Sequence, residues 1–365
     1  ALLDALITQL PEHEAGIRFL IDRQRWSGQK SYGLPRTLCL LFSVGRRAIV
    51  LDDDVICAAV ESPHHKEGIA FGNFHQEFDF YASQQDSLSR TSRLDFDPLS
   101  GHASCLGMGI ARAIDKLGFG GSEPELLKGA NAAYLNQWQS DSPVLMTLTG
   151  SIGDPGSVDT SWIFSLDAES SRRLLASAGG LEGGLTNRHY WMGQPRPTFS
   201  KLAVISQMTG LDNSHLLPPY FPVFRGEDYM FGAMLEYLHP NAAILDYDWC
   251  VPHFPLDPRQ GSLEAQLLTG KGGFVLPNYI TDRTDYEPGL TLETRLSRLV
   301  LMLQELAEAS DEGLLARYRA GVAESQGRLV KQLNLRLRDG VARPQRWVDY
   351  LQHSITAATQ AMHEV

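Results

Sequence analysis

The chain has 365 residues, enough for roughly two domains at about 150 residues each. Its 43% hydrophobic and 21% charged residues exclude wholesale disorder, and a net charge of −11 lacks the basic excess of a nucleic-acid binder. No apolar run approaches the roughly 18 residues of a membrane span, and the start ALLDALITQLPEHEAG has neither the basic region nor the cleavage site of a signal peptide.

Residues 2–10 read as a short helix and Ile17–Ile21 as a short strand. Pro35 to Val44 reads as a helix, with proline in its first turn and Gly45 as its stop. Ala48–Leu51 follows as a buried strand that ends in three aspartates. Helix, tight turn, strand and polar end are the cadence of an α/β sheet, whose functional groups collect at the carboxyl ends of strands. Residues 61–106 read as a polar excursion with short strands near Ile69–Phe71 and Glu77–Tyr81, and Leu106–Leu117 as a helix. Val144–Thr149 and Ser161–Leu166 read as strands separated by a flexible turn over Gly150–Gly156, followed by a helix from Asp167, its cap, to Ala178. Residues 179–200, rich in glycine, proline and aromatics, predict a surface loop. Glu227–Leu238 reads as a helix, Ala243–Asp246 as a strand and Val251–Pro258 as a loop.

Composition shifts near Pro288-Gly289, beyond which Leu292, Leu296, Leu299, Leu303 and Leu306 recur at helical spacing. Two more helices, about 312–338 and 344–363, complete a helical C-terminal region. The expected organisation is therefore an α/β domain over 1–288 and a helical appendage over 289–365. Cys39, Cys57, Cys105 and Cys250 form no C-x-x-C pair, which predicts reduced, buried thiols in a reducing compartment and a cytoplasmic location.

The string Val50-Leu51-Asp52-Asp53-Asp54-Val55 carries the most chemistry. Alternate residues of an extended chain share a face, so Asp52 and Asp54 point the same way. Paired carboxylates repel each other unless a cation neutralises them, and hard oxygen ligands suit magnesium or manganese. The adjacent acids Glu227 and Asp228 open a predicted helix. They serve the helix dipole there, or one of them serves as a general base. His253 lies 25 residues beyond Asp228 and would shift a carboxylate site towards manganese.

Gly33-Leu34-Pro35-Arg36 precedes these motifs, with Arg36 16 residues before Asp52. The ordered set Arg36, Asp52-x-Asp54, Glu227-Asp228 and His253 resembles the family-two glycosyltransferases of the GT-A fold, over about residues 15–60 and 140–260. The resemblance implies a Rossmann-like α/β domain with a mixed central sheet. It also implies a nucleotide-sugar donor, a glycan or glycoconjugate acceptor, and a divalent cation, manganese or magnesium. By it, Asp52, Asp54 and His253 would hold the metal. Arg36, Asp52 and Asp53 would meet the donor, and Asp228 would be the base with Glu227 orienting or replacing it. The activity implied is an inverting, hexosyltransferase-like transfer. Thr37 stands where that family usually has asparagine, and only 51 residues precede Asp52. This predicts a short nucleotide-binding part: a segment was removed, another part of the chain supplies that wall, or nucleotide binding is impaired, and the first residue, Ala rather than Met, favours an excerpt of a longer protein.

Two other functions fit the same residues. One is a non-catalytic GT-A-like module that binds glycan or a partner. The other is a metal-dependent phosphoester hydrolase using Asp52, Asp54 and His64, the last beside His65. His102 with Ser104 and Cys105 matches no nucleophile motif. Arg188, Tyr190 and Trp191 either stack on a sugar or anchor their loop to the core. The basic residues Arg317, Arg319, Arg328, Lys331, Arg336, Arg338, Arg343 and Arg346 read as a solvated helix face, the alternative being peripheral contact with an anionic membrane.

Overall fold

A computed structural model describes residues 1–72, 76–120, 130, 132–156, 161–201, 207–223, 226–257, 259, 275–339 and 343–364. In chain order the first elements are α1 (Leu2–Gln9), α2 (Glu14–Ile21), α3 (Gly33–Phe42), β1 (Arg47–Leu51), β2 (Val60–Glu61), β3 (Ala70–Phe71) and β4 (Glu77–Phe80). Then come α4 (Gln84–Ser89), α5 (Pro98–Cys105), α6 (Ile110–Lys116), α7 (Ala132–Leu135), β5 (Val144–Gly153), α8 (Ala168–Ala176) and α9 (Gly180–Thr186). The rest are β6 (Tyr190–Gly193), β7 (Thr198–Ser200), β8 (Met208–Asp212), α10 (Glu227–Leu238), β9 (Ala243–His253), α11 (Val275–Thr281), α12 (Leu292–Ala307), α13 (Asp311–Arg338) and α14 (Gln345–Glu364).

The described strands form one mixed sheet in the order β1-β8-β5-β9-β7-β3, with β2 on β9 and β4 and β6 branching from β5. Its spine is the parallel pair of its longest strands, β5 and β9. β5 is buried along its whole length, and β9 is buried save at Asp248. One face of the spine carries Val144, Leu245, Tyr247, Trp249 and Val251 against Phe199, Cys105 and Ala113. The other carries Met146, Leu148 and Ile244 against Phe231 and Leu235 of α10. The C-terminal helices build two further clusters: Leu299 and Met302 of α12 pack on α10, and Leu333, Trp347 and Leu351 pack on β4, β6 and the Ile163–Phe164 turn. No described helix is long and apolar enough to cross a membrane.

Several expectations are corrected. Ile17–Ile21 lies in helix α2, where Arg18 reaches back one turn to Glu14 at 2.7 Å and forward to Asp22 at 3.2 Å, the spacing of helical partners. Gly150–Gly156 is not a turn throughout, since β5 runs on to Gly153. Gly150 is there for close packing, as a Cβ would stand 2.7 Å from the Met192 carbonyl oxygen. Likewise β9 continues through His253, with the Pro252 carbonyl accepting from Ile56 N–H at 2.8 Å; Pro258, at the end of that expected loop, lies outside the described residues. Ser161–Ser165 is a short 3-10 turn whose Ile163 and Phe164 bury against α13 and α14 rather than in the sheet. Residues 190–193 and 198–200 are buried strands, not a surface loop. Their glycines and aromatics interlock with β4 and β5, as Gly193 approaching Gly150 shows. Helix α5 falls inside the expected excursion, capped by Asp97, which accepts from the Leu99 and Ser100 amides. All four cysteines are free, but only Cys105 and Cys250 are buried; Cys39 and Cys57 are exposed.

Candidate metal and acid–base site

β1 and β8 are antiparallel, β8 and β5 are antiparallel, and β5 and β9 are parallel. The carboxyl ends of β1, β5 and β9 therefore share one rim of the sheet. Past Leu51 the three aspartates turn over that rim. The Asp52 amide still donates to the Gln207 carbonyl at 2.9 Å, and the Asp54 carbonyl accepts from the Phe254 amide at 3.0 Å. Val55 bridges to His253. The turn is thus stitched to the end of β9.

Asp52, Asp54 and His253 each offer a ligand atom here, all within 4.8 Å of one another. His253 is 2% exposed; its Nε2 lies 2.7 Å from Asp54 Oδ1 and its Nδ1 contacts the Asp154 carbonyl oxygen. A carbonyl only accepts, so the ring proton belongs on Nδ1, an assignment from the hydrogen-bond network. The Nε2 lone pair then faces a carboxylate. Two acceptors so placed need a positive charge: a proton on Nε2, or a cation shared by the three ligand atoms. Two carboxylates and an imidazole form a donor set that fits a divalent cation, the imidazole favouring manganese over magnesium.

Asp154, at the end of β5, accepts a two-pronged pair of 2.7 Å bonds from the Arg188 guanidinium. Burial on its own would raise the Asp154 carboxyl; Arg188 outweighs it and holds the group below the usual carboxylate range. Arg259 spans the rim, 3.5 Å from Asp54 Oδ2 and 3.6 Å from Asp154 Oδ1.

The acid–base half comes from α3 and α10. Gly33 opens α3 against the 220–221 segment, so close that a Cβ would lie 1.8 Å from the Phe221 carbonyl oxygen. Thr37 Oγ1 is 3.1 Å from the Tyr220 carbonyl oxygen, and the Tyr220 ring stacks on Phe231 of α10 at 4.1 Å. Locked in this way, α3 presents Arg36 to the first turn of α10. Arg36 donates to Asp228 and, at 3.1 Å, to Asp52 Oδ1; Glu227 lies 3.7 Å away. Burial opposes the Arg36 charge, but Asp52, Tyr220 and Glu227 outweigh it and hold the guanidinium more firmly protonated. Asp228 is 26% exposed and Glu227 only 5%, so Asp228 is the carboxylate a substrate can reach.

The fold thus gathers Arg36, Asp52, Asp54, Glu227, Asp228 and His253 at one rim. Asp53 is exposed and outside the ligand cluster, and Phe224 and Arg225 lie outside the described residues. His64 is not brought to the aspartates: it lies 2.9 Å from Asp79, and His65 lies 3.1 Å from Asp248. His102 is a core residue facing Thr147 at 2.9 Å. Tyr190 and Trp191 are buried, which leaves them no face for a sugar. Of the basic helical residues, Arg336 donates to the Phe164 carbonyl, Arg317 to the Tyr279 hydroxyl, and Arg328, Arg343 and Arg346 pair with Glu324, Asp339 and Glu182. A second acidic group, Glu77, Asp167 and Glu169, is met by Lys66 and Arg173. Asp154 and Arg259 went unnoticed in the sequence, although Gly153-Asp154-Pro155-Gly156 directly follows a buried strand. No protein-family model matches the chain, and no curated protein matches it.

Proposed function

We propose that the chain is a metal-dependent, inverting glycosyltransferase of GT-A-like fold, taking a nucleotide-sugar donor and a hydroxyl acceptor of a glycan or glycoconjugate. The observation that carries this reading is the convergence of the Asp52, Asp54 and His253 ligand set with a separate, reachable carboxylate, Asp228, across Arg36. A divalent cation held by Asp52, Asp54 and His253 would supply Lewis-acid stabilisation of the charge that develops on the diphosphate leaving group. Asp228, held in place by Arg36, takes the proton from the acceptor hydroxyl as that oxygen attacks the anomeric carbon. The new carbon–oxygen bond forms as the bond to the diphosphate breaks, and with one base and no enzyme nucleophile the configuration inverts. Arg36 contacts carboxylates on both sides, so its role here is to fix the base beside Asp52.

The decisive experiment compares wild type with Asp228→Asn in calorimetric titration with nucleoside diphosphates and manganese, and in sugar transfer. Donor-product binding should persist in the variant while turnover falls by orders of magnitude. Unchanged turnover rejects the base. Absence of manganese-dependent nucleotide binding in the wild type rejects the enzyme in favour of a binding module.

A further inference from the structure

Arg188 is the one non-glycine with a left-handed backbone among the described residues, at φ 53°. That conformation is costly for a side chain carrying a Cβ, and it persists only where the surroundings enforce it. Here the enforcing contact is visible. The guanidinium, 3% exposed, closes both prongs on Asp154, itself 8% exposed. Asp154 in turn is tied to His253 twice: its amide donates to the His253 carbonyl at 3.0 Å, and its carbonyl accepts from the His253 ring. The approach leaves no space for a side chain at Gly153. Gly153, at φ 118°, would carry a Cβ 2.3 Å from the His253 carbonyl oxygen. A buried ion pair of this kind is a weak source of stability, since desolvation opposes the Coulomb gain. Its value lies in geometry: it fixes the Asp154 backbone, and that backbone fixes the imidazole.

We infer that Asp154 and Arg188 are positioning residues that keep the His253 proton on Nδ1 and so present Nε2 to a divalent cation at Asp52 and Asp54. Only the naming of the cation rests on the proposed function; the ring orientation rests on the contacts themselves. Metal-bound histidines are ordinarily held through their other nitrogen in this manner, and loss of the holding group weakens metal binding about 10- to 100-fold.

The test uses two variants of the full chain. The double change Asp154→Asn with Arg188→Gly removes both charges together, so no lone charge is left buried, and glycine suits the left-handed backbone. Arg188→Lys keeps the charge and loses the two-pronged grip. In metal-free protein carrying 15N-labelled histidine, assigned with His253→Gln, the wild type should show His253 protonated at Nδ1. Both variants should show a population with Nδ1 bare. Manganese affinity, read from the electron paramagnetic resonance of free Mn2+, should fall about 10- to 100-fold. A folded variant that keeps both the wild-type Nδ1 signal and the wild-type affinity overturns the inference. If the double variant does not fold, Arg188→Lys decides by the same readouts. Should wild type bind no manganese, the functional reading fails, and the nitrogen spectra alone decide whether Asp154 and Arg188 hold the ring.

Discussion

Asp246 sets up the sharpest stability test. It lies in the middle of β9, opposite Thr198 of β7 and beside Leu148 of β5, with no solvent exposure. Neither carboxyl oxygen has a hydrogen-bond partner among the described residues. Burial pushes its pKa from 3.8 up to about 7; the Gln194 amide opposes the shift without reaching normal hydrogen-bond geometry, and Asp248 adds to it. Between pH 3.8 and about 7 the folded protein therefore holds a proton that the unfolded chain has released. Stability falls with rising pH across that window and levels off above it. At about 1.4 kcal/mol per pH unit, the full loss is about 4 kcal/mol. Asp246→Asn keeps the shape and removes the titration. Urea unfolding from pH 4 to 8.5 should show the variant gaining about 4 kcal/mol on the wild type between the ends of the range. Parallel profiles for the two proteins would refute the claim that this carboxyl is buried without a partner.

Asp54→Ala removes one of three ligands and should weaken manganese binding by more than the roughly 10- to 100-fold that changes outside the ligand set cost. Its thermal midpoint should stay close to wild type, because Asp54 is only partly buried; retained affinity would remove the cation from this corner. His102, fully buried, has its pKa lowered by burial to about 3, the Thr147 bond opposing. It is neutral in the fold and charged in the unfolded chain below pH 6.5, so its stabilising contribution is complete above 6.5 and lost as pH falls towards 3. His102→Gln should flatten the acid limb of the same urea series below pH 6.5; an unchanged limb would assign acid unfolding to other groups.

The candidate site was largely legible because its residues sit where local sequence signals are strong. Asp52 to Asp54 end an apolar strand, Glu227-Asp228 open a helix matched to its last residue, Leu238, and Arg36 lies in a helix started by Gly33 and Pro35. Strand lengths were less legible. Gly150 read as the start of a turn and Gly193 as part of a surface loop, whereas they let β5 and β6 approach within the sheet, and only the partner strand reveals that. The same holds for Ile17–Ile21, where five mostly apolar residues suit a strand or a helix and the Glu14–Arg18–Asp22 spacing decides. Gly153-Asp154-Pro155-Gly156 marks a strand end, but the role of Asp154 was hidden for a different reason. It acts through its main-chain carbonyl and a guanidinium 34 residues away, and no local pattern encodes that contact.

Charge balance links the two halves of the rim. Asp52, Asp54, Glu227 and Asp228 bring four carboxylates together, while Asp154 and Arg188 cancel each other. Against the four stand Arg36, shared between Asp52 and Asp228, and Arg259 at Asp54. Among the described residues the formal remainder is two negative charges, the charge that a divalent cation would match. Arg36 also links the halves: a cation held at Asp52 would repel the guanidinium from that carboxylate and leave it more fully to Asp228. A filled ligand set would thereby leave Arg36 to hold the Asp228 carboxylate in place at the rim.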